Sequence, residues 1–380
     1  MNFRDLTEYL DSLGDKFIPA REIIVYQNHK VIYHHKSGFS DVELSKPLSG
    51  KEIYLIYSSS KISTCIGALR LVERGLLSLE DKVSKYLPEY ENLNVLDNGK
   101  IRPAKTDLLV KHLFTMCGGF TYNKETENLK PFKNNKNATT QDVIRALAKD
   151  PLIFDPGTHF EYSLCHDILG AVIEVVSGKT LDKYLRDEIY RPLNMNDTTF
   201  HLNDEQKNRL AVHYVYNNEN NTLNIGDNFL TEFHLSPNYE SGGAGVYSTT
   251  GDYTKLVDAI ACGGTAYNGY EVLRSETVAM LSRNWLDEVQ LADFQQKTGH
   301  FGNGYGLGVM MLMNKKPRNY KCAEGVFGWG GAAGTKAVMD TKNQLSFYYS
   351  QEVIGGPECT YEEHQHNKIT NMLYEILKLD

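Results

Sequence analysis

Near the start of the chain, "REIIVYQNHKVIYHHKSG" places β-branched and aromatic residues on both sides of "QNHK". This predicts two β-strands around a turn, after a short leading helix. "EIYLIYS" predicts a third strand that runs straight into a helix beyond Ser58. In that helix Ile62, Cys65, Ile66, Leu69 and Val72 recur at the three- and four-residue steps of one buried face, and Gly75 ends it. Residues 76 to 240 read as helix-like segments separated by polar loops such as "KPFKNNKNATT" and "YNNENNTLN". One of these helices is "CHDILGAVIEVVSG", with an apolar face and a terminal glycine. The final third changes character. "GYGLGVMMLM", "GTKAVMD" and "QLSFYYSQ" are short, apolar or alternating and bounded by Gly, Asp and Asn, so they predict strands, and "YEEHQHNKITNMLYEILKL" closes the chain as a helix.

Strands at both ends around a helical middle predict one sheet built from the two termini. The sheet part takes residues 1–65 and 240–380, and 66–239 form a helical insertion. A cleft between the two is where a binding site is expected. The composition is that of a globular protein, with 41% hydrophobic and 23% charged residues among 380. A formal net charge of −8 with scattered lysines and arginines gives no reason to expect nucleic acid or anionic lipid. "MNFRDLTEYLDSLGDKF" has the form of neither a signal peptide nor a membrane anchor. Six widely spaced cysteines (Cys65, Cys117, Cys165, Cys262, Cys322, Cys359) contain no C-x-x-C pair and read as free thiols, and the sequons at Asn137, Asn196 and Asn220 carry no weight without export. The expectation is a cytoplasmic protein.

Chemistry is expected first at Ser58 and Lys61, an S-x-x-K pair at a helix start whose side chains share a face and can meet. A hydroxyl needs an adjacent base to act as a nucleophile, and a lysine serves where its surroundings disfavour the ammonium form. The helix start adds positive potential and free N–H groups that can face an oxyanion. Against this, S-x-x-K arises by chance in many long chains, and serines at helix starts are often only N-caps.

Further segments decide between these readings. "FDPGTHFEYSLCHDILGAVIEVVSG", "ALRLVERGLLSLEDKVSKYLPEY", "PLNMNDTTF", "SGGAGVYSTTGDYTKL", "GYGLGVMM" and "VFGWGGAAGTKAVMD" accompany the S-x-x-K helix. Over nearly its whole length the chain resembles the serine β-lactamase-like hydrolases of class C type, which include DD-peptidases, amidases, family VIII carboxylesterases and acyltransferases. The resemblance implies an α+β fold, a mainly antiparallel sheet from both chain ends flanked by helices, with a mostly helical inserted subdomain. It implies Ser58 as the acylated nucleophile, Lys61 as its partner and Tyr162 as the phenol that relays the serine proton, without deciding which of the last two is the formal base. It pairs the backbone N–H groups of Ser58 and Ala332 as an oxyanion hole, and it implies no cofactor.

Two departures narrow the substrate. The β-lactamase pattern has asparagine two residues after the tyrosine; here the triplet is Tyr162, Ser163, Leu164, with Asp167 nearby, which looks more like the carboxylesterase branch. Where penicillin-recognising relatives carry a lysine or histidine before glycine, this chain has Trp329, Gly330 and Gly331. Tryptophan offers an apolar wall and one N–H donor in place of a positive charge. Leu164, Trp329, Gly330 and Gly331 are therefore the expected substrate-binding positions, and small neutral esters or amides the expected substrates. β-Lactam or peptide substrates, acyl transfer and a non-catalytic binding module are the alternatives. "GWGGAA" fits a loose dinucleotide pattern but is followed by a strand, and neither His34 with His35 nor Glu363, His364 and His366 has metal-binding spacing. No metal, nucleic acid or membrane partner is expected.

Overall fold

The computed structural model describes residues 1–133, 135–226, 235–356 and 362–379. Cys359 and the side chains of Glu363 and His364, named above, lie outside the described residues. Helix α1 (Arg4–Ser12) leads into strands β1 (Ala20–Gln27) and β2 (Lys30–Gly38). Asn28 and His29, at φ 50° and 62°, make the two-residue turn between them, whose left-handed backbone matches the twist of the flanking strands. The remaining strands of the sheet come from the other end of the chain: β3 (Asn303–Tyr305), β4 (Met310–Leu312), β5 (Phe327–Gly330), β6 (Lys336–Asp340) and β7 (Leu345–Ser350). Their order is β2–β1–β7–β6–β5–β4–β3, and every neighbouring pair is antiparallel. The two chain ends thus build one sheet, as the pattern predicts.

Alternation along β6 and β7 sends side chains to two separate cores. Val338, Phe347 and Tyr349 join Leu6 and Leu10 of α1 and Ile369 and Leu373 of the closing helix, Glu362–Leu377. Ala337, Met339 and Tyr348 face the larger core with the helices Ser60–Glu73, Cys165–Ser177 and Thr250–Ala261. In chain order these four helices are α2 (Ser60–Glu73), α3 (Cys165–Ser177), α4 (Thr250–Ala261) and α5 (Glu362–Leu377).

Three local expectations change. "EIYLIYS" forms only the two-residue strand Tyr54–Leu55, which pairs with Tyr247–Ser248 outside the main sheet. Pairing stops because Tyr57 turns the chain through φ 44°. "GYGLGVMMLM" is split between β3 and β4 by a glycine-bearing turn with Gly308 at φ 88°. Helix α2 is not half-exposed: Ser60 through Leu69 are all buried, so it runs through the core. Small residues allow this. A side chain at Gly67 would come within 2.5 Å of Leu185, and the hydroxyls bond locally, Thr64 Oγ1 to Gly242 O at 2.8 Å and Ser63 Oγ to Ser60 O at 3.0 Å. Among the described residues between 66 and 239, two β-hairpins, Asn94–Pro103 and Tyr214–Ile225, stand among the helices. Among the described residues no helix is long and apolar enough to cross a membrane.

Candidate active site

Ser58 sits in the 3₁₀ turn Tyr57–Ser59 that opens α2, directly after the left-handed Tyr57. A bulky residue at positive φ costs free energy, and such strain collects at functional sites. One turn on, Lys61 is fully buried, and its Nζ donates to Ser58 Oγ at 3.1 Å, Tyr122 OH at 2.8 Å and Gly243 O at 2.6 Å. The Gly243 carbonyl reaches the amine because the segment "SGGAGV" packs tightly against α3. Side chains at Gly242 and Gly243 would fall 2.5 Å from His166 O and 2.6 Å from Asp167 Oδ2. Asp167 holds this segment from below, accepting from Ser241 Oγ at 2.6 Å and Tyr239 OH at 2.8 Å.

Two phenols flank the amine. Lys61 Nζ lies 4.7 Å from the ring centre of Tyr162 and 5.6 Å from that of Tyr122, in cation–π range of both. Tyr162 reaches the site from the segment before α3, and its hydroxyl accepts from Trp329 Nε1 at 2.9 Å. The phenol bonded to Lys61 is that of Tyr122, which the motif reading missed. Burial pushes the Tyr122 hydroxyl well above the ordinary phenol range, so it stays a neutral donor and acceptor. Its signal was present in "GGFTYNKETENLKPFKNNKN", but it is one of 24 tyrosines and belongs to no motif.

Trp329, on β5, is 6% exposed and stands edge-on to Tyr305 with ring centres 5.4 Å apart, so its rotamer is fixed from behind. Gly330 pairs with Lys336 inside the sheet. At Gly331 a Cβ would meet Ile56 O at 2.4 Å and Thr335 Oγ1 at 2.3 Å, so the end of β5 lies directly against the turn that carries Ser58. Thr335 joins the two: its Oγ1 donates to Ile56 O at 3.3 Å and lies 2.9 Å from Ser59 Oγ. Ala332 is exposed at the turn after Gly331. Leu164 is 3% exposed at the head of α3, in the larger apolar core that also holds Trp329.

A second nucleophile–base pair lies beneath the lysine but is inert. Cys65 Sγ is 3.5 Å from His166 Nε2, which is also 3.1 Å from Phe114 O. Both residues are fully buried, and burial pushes the thiol up and pulls the imidazole down to about 3, so both stay neutral.

The Beta-lactamase family profile matches residues 7–352. The chain belongs to that family. As a Beta-lactamase family member with an esterase relative, it is a serine hydrolase. Esterase EstB of Burkholderia gladioli is 26% identical over 382 residues, covering 90% of this chain and 89% of that one. Protein Rv1367c of Mycobacterium tuberculosis (strain ATCC 25618 / H37Rv) is 26% identical over 339 residues, covering 86% and 84%. Among solved structures, simvastatin synthase (LovD) from Aspergillus terreus superposes at TM-score 0.82 and 21% identity over the whole of both chains. EstCE1, described as a hydrolase with promiscuous acyltransferase activity, does so at 0.80 and 22%, covering 98% and 97%. These structural matches fix the β-lactamase-like fold.

Proposed function

We propose that this serine hydrolase is a carboxylesterase-type enzyme that forms an acyl-enzyme on Ser58 from small neutral esters or amides. The observation that carries the reading is the fully buried Lys61 amine bonded to the Ser58 hydroxyl at the strained start of α2. The esterase relative supports the substrate class, and so does Trp329 in place of a cationic side chain.

In the amine form, Lys61 Nζ donates its two protons to Tyr122 OH and Gly243 O and turns its lone pair to the Ser58 proton. Ser58 Oγ then attacks the acyl carbon, and its proton passes to the Lys61–Tyr162 pair. The oxyanion is received by the N–H groups of Ser58 and Ala332. Collapse breaks the bond to the alcohol or amine, which takes the proton back as it leaves. Water repeats the sequence on the acyl-enzyme and releases the acid. Trp329 holds the Tyr162 oxygen in place and walls the acyl group.

Ser58→Ala is expected to abolish turnover of a p-nitrophenyl ester, while the thermal transition stays in place. Wild-type turnover by the folded variant would overturn the assignment. The same acyl-enzyme can pass to an alcohol in place of water, and the acyltransferase activity printed for EstCE1 favours testing this second reading. Ester exchange in the presence of a small alcohol, followed by product analysis, separates the two. Efficient nitrocefin hydrolysis would favour β-lactams over esters.

A further inference from the structure

At the tip of the β1–β2 turn lies a group of side chains that the hydrolytic reaction does not use. His29 Nδ1 is 2.7 Å from Asp258 Oδ2, and Cys262 Sγ is 3.7 Å from Asp258 Oδ1. One ligand atom from each of the three residues falls within 4.8 Å of the other two, and among the described residues this is the one such group of His, Cys, Asp and Glu. We propose that His29, Asp258 and Cys262 bind one zinc ion, with water as the fourth ligand, as a staple between the β1–β2 turn and α4.

The backbone prepares the site. Asp258 and Cys262 stand one helical turn apart on a single face at the end of α4, where their side chains are neighbours. His29 is aimed at them by its left-handed φ of 62°, which the two-residue turn imposes. The donor set is an imidazole nitrogen, a carboxylate oxygen and a thiol sulfur. This suits zinc, whereas magnesium and calcium select all-oxygen sets. Zinc bonds of about 2.0–2.3 Å in a tetrahedron separate ligand atoms by roughly 3.3–3.8 Å. Cys262 Sγ is at that spacing from Asp258 Oδ1 and His29 Nδ1 is closer to the other oxygen, Oδ2, so the carboxylate turns one oxygen to the ion and the His29–Asp258 pair opens by roughly half an ångström. The anchor is built in, because the Asp258 side chain is 1% exposed, while His29 at 28% and the partly buried Cys262 leave a path for the ion.

Charge points the same way. Carboxylate and thiolate oppose one another without a cation, and a bound dication allows both. Binding expels the thiol proton, and the imidazole coordinates through Nδ1 with its own proton on Nε2. Without an ion the three groups form only a hydrogen-bonded knot, and that reading predicts no zinc affinity.

The test uses the full chain stripped of metal. Titration with zinc is expected to saturate at one ion per chain and raise Tm by a few degrees, with p-nitrophenyl ester turnover unchanged. Cobalt in place of zinc is expected to give a thiolate charge-transfer band. Alkylation of Cys262 by iodoacetamide, mapped by peptide mass, is expected to slow at least tenfold with zinc. Cys262→Ser and His29→Ala are expected to lose the Tm rise and the cobalt band. Absence of stoichiometric binding, or binding that persists unchanged in both variants, overturns the proposal. If either variant does not fold, alkylation of the wild-type chain decides: equal rates with and without zinc sink the idea.

Discussion

At the scale of single residues, the Lys61 amine is held by three oxygens that differ in what they can do. Gly243 O only accepts, Ser58 Oγ can give up a proton, and Tyr122 OH does either. Tyr122→Phe leaves the ring packed against Tyr162 but removes one of the oxygens that orient the Lys61 amine. Loss of one such bond is worth about 1–1.5 kcal/mol, so kcat is expected to fall about 5- to 12-fold with KM little changed. Trp329→Phe is the companion case, keeping an apolar wall while removing the N–H that bonds the Tyr162 hydroxyl at 2.9 Å. A comparable fall in kcat is expected there. Steady-state kinetics on one ester series checks both, and a change confined to KM would assign Trp329 to substrate packing alone.

At the scale of elements, the proposed site is built where two segments are held together: the turn before α2 and the loop from β5 to β6. Thr335 is fully buried and spans them through Ile56 O and Ser59 Oγ, and Tyr253 of α4 donates to Ser59 O from the other side. Thr335→Val keeps the shape but leaves two buried oxygens short of a partner. The expected result is a loss of about 1–3 kcal/mol in stability and a fall in kcat, with Thr335→Ser restoring both. Equal kcat in Val and Ser variants would mean that the clamp has no part in turnover. Much of this architecture is legible in the sequence. The segments around "QNHK" and in "QLSFYYSQ" carry β-branched and aromatic residues that pack on both sheet faces, so they read correctly as β1, β2 and β7. "EIYLIYS" misleads because its apolar residues are buried by neighbouring elements while its backbone leaves the sheet after two residues. Ser58 and Lys61 are legible because their spacing survives folding intact. Tyr122 and the Gly243 carbonyl are not, since one comes from a loop without periodicity and the other is a group every residue carries.

At the scale of the whole molecule, two buried groups far from each other in the chain set opposing responses to pH. Glu352 is 4% exposed beside His213, whose Nδ1 is 3.0 Å from Glu352 Oε1, and burial pushes the carboxyl from an ordinary 4.5 up to about 7. Its contribution to stability is complete below pH 4.5 and is lost as pH rises through about 7, because the folded chain holds a proton that the unfolded chain has released. His166 acts in the reverse sense. Its ordinary value of 6.5 is pulled down to about 3 by burial, so its contribution is complete above 6.5 and is lost as pH falls toward 3. Between pH 4.5 and 6.5 the two slopes oppose and nearly cancel. Glu352→Gln removes the falling limb, so its stability relative to the wild type is expected to climb across that window by on the order of 2 kcal/mol, a shift of several degrees in Tm. His166→Asn removes the rising limb, and its relative stability is expected to decline over the same range. Neither comparison depends on the constant offset that each substitution adds. Thermal unfolding of the three proteins at steps between pH 4.5 and 6.5 reads the slopes directly, and parallel lines for all three would show that neither group titrates differently in the folded chain.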